Sequence, residues 1–116
     1  MGKASRSVTL PPMGLFDLIG ARNAHDRIYG GGMPHADITH DVLAGAAGFE
    51  AMRMYERHRE REGIAEHHEL GKELLASFAA AEVDKHFQQG GLGHLDRERA
   101  RFEAQQQAHH LWDQRR

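Results

Sequence analysis

Two segments of this chain repeat one another. Set LAGAAGFEAMRMY, Leu43 to Tyr55, above LASFAAAEVDKHF, Leu75 to Phe87, and at an offset of 32 residues Leu43 meets Leu75, Ala44 meets Ala76 and Ala47 meets Ala79. Further on, Glu50 meets Glu82, Arg53 meets Lys85 and Tyr55 meets Phe87. Alanine is the best intrinsic helix former, and two helices with one layout joined by a short loop at Gly63 predict an antiparallel, pseudo-symmetric hairpin. Small residues remove bulk where backbones cross, so the axes are expected toward the short end of the usual range of about 8–10 Å. Gly45 and Gly48 each cost a helix roughly 0.5–1 kcal/mol relative to alanine, which implies that close packing of helix A on helix B offsets that cost.

The rest of the chain supports an all-α fold, a small helical bundle built on that hairpin plus a C-terminal helix. Helix A is expected over about 40–62. Thr39 serves as N-cap, Asp41 lies in the first turn, Ile38 and Leu43 stand at staple spacing, and Gly63 is the stop. Helix B is expected from about residue 66 or 67 to 88, before Gly90–Gly91, and helix C over about 95–114, with Asp96 and Glu98 at its favourable end. Leu15 to Ile28 predicts one or two helical turns, and YGGGMPH, Tyr29 to His35, a flexible break. No segment alternates as a strand does. With 116 residues there is room for one domain, expected over 15–116, with 1–14 a disordered extension.

Composition excludes several classes. A formal charge of −2 gives no general attraction to nucleic acid or anionic lipid. With no cysteine there is no disulfide framework, thiolate zinc site or cysteine nucleophile, which suits an intracellular, cytoplasmic protein. No apolar run approaches the roughly 20 residues of a transmembrane helix. Histidine is the outlier: ten residues, whose titration near a pKa of about 6.5 would move the charge toward about +8.

Glu50 is the one carboxylate inside an apolar stretch, and Glu82 is its counterpart. Each has a cation three residues on, Arg53 and Lys85, the spacing at which helical side chains meet, and on the helical wheel Glu50 also falls near Arg57. Three readings stand: border residues paired with those neighbours, salt bridges between helices that fix register, or two glutamates sharing a proton or a metal. Di-iron bundles carry Glu-x-x-His motifs, and here Arg53 and Lys85 occupy the histidine places. A metal site would draw on His58, His67, His68, Glu50 and Glu82, but no spacing matches a ligand set. No catalytic residue and no cofactor or metal site is predicted; a divalent metal is the alternative. Phosphate-loop and nucleophile-elbow patterns are missing. RHRE, Arg57 to Glu60, lacks the glycine and the α/β setting of a histidine phosphatase. On helix C, Leu95 and Phe102 form one stripe and Ala100, Ala104, Ala108 and Leu111 another. Either one stripe packs on the hairpin while the other meets a second copy of the chain in a homodimer, or the alanines sit on a solvated face.

NAHDRIYGG (Asn23 to Gly31), THDVLAGAAGFEAM (Thr39 to Met52), FAAAEVDK (Phe78 to Lys85) and LDRERAR (Leu95 to Arg101), in this order, resemble the fungal CipC-like antibiotic-response family, named for induction by concanamycin. The likeness covers about residues 15–113. It implies a stress- or antibiotic-induced protein of undefined biochemical activity, with Asn23, His25, Tyr29, His40, Glu50, His68, Glu82, Asp84, Asp96 and Arg97 among characteristic positions of unknown role. Gly93 and Gln88–Gln89 depart from the family pattern. The expected function is non-enzymatic, through self-association or an unknown protein partner; the alternative is a metal- or ligand-binding helical protein.

Overall fold

The computed structural model describes residues 15–63 and 70–114. Four helices make up a small all-α bundle: α1 (Leu18–Tyr29), α2 (His40–Glu62), α3 (Gly71–Gln88) and α4 (Arg97–Gln114), with one turn of 3-10 helix at His35–Asp37. Among the described residues there is no strand, and no helix is long and apolar enough to cross a membrane.

Local chemistry explains the ends. Thr39 Oγ1 accepts the Val42 N–H at 3.2 Å, and α2 stops at Gly63, whose left-handed φ of 68° suits a residue without a side chain. Asp17 caps α1 by accepting the Gly20 N–H at 2.8 Å, and Asp96 caps α4 by accepting that of Arg99 at 3.1 Å. α1 is therefore a full 12-residue helix, longer than the one or two turns expected. α3 is described from Gly71; the expected earlier start lies outside the described residues, as do His67, His68 and residues 1–14. Helix C begins two residues later than expected, because Leu95 and Asp96 belong to the turn and cap.

α2 is the central element and packs against each of the other three; α4 also packs on α3. Lys72 lies opposite His109 and Asp113, Ala76 opposite Gln105, and Asp84 opposite Arg97 and Arg101, so α3 and α4 run antiparallel. The core joins Leu43, Ala47, Ala51 and Tyr55 of α2 to Leu75, Ala79 and Val83 of α3 and to Ala100, Ala104, Ala108 and Trp112 of α4. Repeat partners Leu43 and Leu75, and Ala47 and Ala79, are equally buried.

The glycines serve a different contact from the one expected. A methyl group on Gly45 would meet the Phe16 ring at 2.5 Å and Ala24 Cβ of α1 at 3.4 Å. One on Gly48 would lie 2.7 Å from Gln107 Cγ of α4. Close approach is real, but it seats α1 and α4, not helix B. The reason is angular: Gly45 and Gly48 lie on the flanks of the Ala44–Ala47–Ala51 stripe that enters the shared core. Gln107, fully buried, holds the chain leading into α1 from both sides: its Oε1 accepts the Phe16 N–H and its Nε2 donates to the Phe16 carbonyl, each at 2.8 Å.

Candidate functional site

α1 turns one face to the bundle. Its buried residues are Ala21, Ala24 and His25, and Tyr29 follows one helical turn after the histidine. That spacing stacks the two rings, with centroids 4.3 Å apart and planes 15° from parallel. Each ring then reaches a different glutamate. His25 Nε2 stands 2.8 Å from Glu50 Oε1 on α2, and the Tyr29 hydroxyl donates a short hydrogen bond to Glu82 Oε1 on α3.

The two repeat-related carboxylates thus converge on α1. Glu50 also lies 3.6 Å from Arg57, the expected neighbour two turns on, and not on Arg53, the one three residues on. Glu82, only 5% exposed, keeps its expected neighbour Lys85 at 3.7 Å. Phe49 tilts against the His25 ring at 5.1 Å, and His86 meets the Tyr29 ring edge-on at the same separation. His25 Nδ1 is buried and, among the described residues, without a hydrogen-bond partner, with Asp26 Oδ1 3.7 Å away.

Burial, reinforced by the bond to Glu82 and by the charges of Glu82 and Glu50, pushes the Tyr29 phenol far above its ordinary value. It stays protonated and donates, which makes it a fixed hydrogen-bond donor and a poor acid. Burial pulls the His86 imidazole below its ordinary value against the opposing charge of Glu82, and Lys85 and His35 add to the depression. Chemically, the arrangement holds two carboxylates by directed donors and fastens α1 to α2 and α3.

The other residues singled out from the sequence form further pairs. His40 Nε2 accepts the Asp96 N–H at 2.8 Å, and Asp84 receives Arg97 at 3.0 Å and Arg101 at 2.8 Å. Asn23 is exposed on α1. His58 stands apart, 6.1 Å from the Phe78 ring, and His67 and His68 lie outside the described residues. Among the described residues no group of three or more His, Asp or Glu is placed to hold a metal ion. Sequence reasoning missed the partners His25 and Tyr29 supply, the depressed His86 and the Gln107 clamp. The signal for Gln107 was present: an amide between Ala104 and Ala108, on the stripe that becomes the buried face of α4.

Comparison with known proteins gives one match. The family described as "Virulence factor CipC-like" matches residues 24–115, most of the chain, and the chain belongs to that family. No curated protein and no solved structure matches.

Proposed function

We propose that this CipC-like protein serves a virulence or antibiotic-stress response without catalysing a reaction, and that it acts by pairing with a second copy of itself. Membership of the family supports the virulence or stress-response role. One observation carries the pairing: Leu18 and Ile19 at the start of α1 are 54% and 70% exposed beside an apolar depression of about 480 Å³ lined also by Met52 and Leu111. A large apolar knob next to an apolar hollow on one face suits a two-fold interface, in which each copy's knob enters the other's hollow. Exposed Asp17 and Gln114 also line the depression. Exposed apolar surface of this kind is what such contacts consume.

Sedimentation velocity across a concentration series tests this. The native chain is expected to sediment as a concentration-dependent dimer and an Ile19→Lys variant as a monomer with unchanged helicity. A native chain monomeric throughout overturns the pairing, as does protection of Leu18 and Ile19 by residues 1–14 of the same chain.

A further inference from the structure

The second half of α2 carries a row of arginines. Arg53, Arg57 and Arg61 follow one another at four-residue intervals, and all three are exposed. Side chains at that spacing are neighbours on a helix, so the row gathers positive charge on one face of a chain whose net charge is −2. Beside its end, α2 and α3 border an open groove of about 330 Å³, lined by Met54, Arg57, His58 and Arg61 of α2 and by Phe78 of α3. The His58 ring stands edge-on to that of Phe78, 6.1 Å away. No Asp or Glu lines the groove. Arg57 has one carboxylate within reach, Glu50 at 3.6 Å, which also meets His25, and its side chain remains 51% exposed. Arg61 makes no ion pair among the described residues.

We propose that this groove binds an aryl phosphate, a phosphate monoester carried on a single aromatic ring. The charge follows from the arginines. Each guanidinium is a planar fork that takes two oxygens of an anion at once. One fork satisfies a carboxylate; two forks one helical turn apart suit the three terminal oxygens of a phosphate dianion. His58 adds an N–H in either of its protonation states. The ring follows from the rest of the wall. Phe78 offers an aromatic partner and Met54 a thioether, and both favour a flat π-system over an aliphatic chain. Size sets the limit: the groove has roughly twice the ~150 Å³ that encloses benzene, room for one ring and its phosphate. The groove shares no residue with the apolar depression beside Leu18 and Ile19, so its occupancy and the pairing of two copies are separable.

Titration of the full chain with phenyl phosphate, followed by two-dimensional NMR, tests the proposal at low salt and slightly alkaline pH, where the phosphate is a dianion. One saturable site is expected, with shifts centred on Met54, His58 and Phe78. Methyl phosphate, which lacks the ring, and phenol, which lacks the charge, should each bind at least about tenfold more weakly. Arg61→Gln, a change at an exposed position, should weaken phenyl phosphate by a similar factor. Arg61→Lys should recover only part of that loss, since it restores the charge without the fork. Arg99→Gln on α4 removes the same charge elsewhere on the surface and should leave binding unchanged. A tyrosine-phosphorylated tripeptide separates two sources of the same group: binding as tight as that of phenyl phosphate assigns the groove to a phosphorylated protein, and exclusion assigns it to a free aryl phosphate. Equal affinity for methyl and phenyl phosphate would reveal an unselective anion site, and equal losses in Arg61→Gln and Arg99→Gln would reveal diffuse charge attraction. Either result, or the absence of saturable shifts, overturns the proposal.

Discussion

Gly48 shows how little room one residue has. Adding a methyl group there would place it 2.7 Å from Gln107 Cγ and 3.2 Å from the Ala108 nitrogen. Gln107 cannot swing aside cheaply, because both ends of its amide are bonded to Phe16. Alanine gains about 1 kcal/mol in helix propensity, whereas overpacking costs about 1–3 kcal/mol. Gly48→Ala is therefore expected to lower stability in urea unfolding, despite the better helix former. Two half-buried rings give opposite responses to pH. The Tyr29 phenol titrates higher folded than unfolded, so its contribution is complete below its unfolded value of 10.0 and fades as pH rises above it. The stability advantage of the native chain over Tyr29→Phe should shrink at alkaline pH. His86 titrates lower folded than unfolded, so below its unfolded value of 6.5 the unfolded chain takes the proton first. His86→Gln should lose less stability than the native chain as pH falls from about 6.5, in parallel melts.

α1 is the element on which the account turns, and it was the least legible in the sequence. Its inward face is Ala21, Ala24 and His25, small or polar residues, while its large apolar side chains Leu18 and Ile19 are exposed. The caps of α2 were readable because Thr39 and Gly63 act on backbone within one turn of themselves. Glu82 with Lys85 was readable for the same reason. Glu50 was not: its partner His25 lies 25 residues back, and no local spacing rule reaches that far. The alanine stripes announced close packing, but a one-dimensional pattern cannot say which neighbour fills the space beside Gly45 and Gly48. Resemblance marked His25, Tyr29, Glu50 and Glu82 as characteristic; only the fold shows that they are each other's partners. If α1 is held mainly by these bonds and by Phe16, then Gln107→Ala, which releases the Phe16 backbone, should raise the hydrogen-exchange rates of α1 more than those of α3. Equal increases in both helices would mean that α1 does not open as a separate unit.

Among the described residues, α2 is surrounded, and it receives both the first and the last helix. α4 closes one side through an alanine ridge, and α1 closes the other through two ring-to-carboxylate bonds. The repeat makes this possible, because it supplies one glutamate on each of two adjacent helices. A segment with rings one turn apart can then engage both. This arrangement leaves the glutamates committed to holding the bundle together. It also leaves the start of α1, with Leu18 and Ile19, turned outward where a second copy could pair.

A thermodynamic cycle of Tyr29→Phe, Glu82→Gln and the double variant, by urea unfolding at neutral pH, tests that commitment most directly. A hydrogen bond to a buried carboxylate predicts a coupling of about 1.5–3 kcal/mol between the two sites. Strictly additive losses would contradict it, for then the hydroxyl and the carboxylate would act independently and this bond would not fasten α1 to α3.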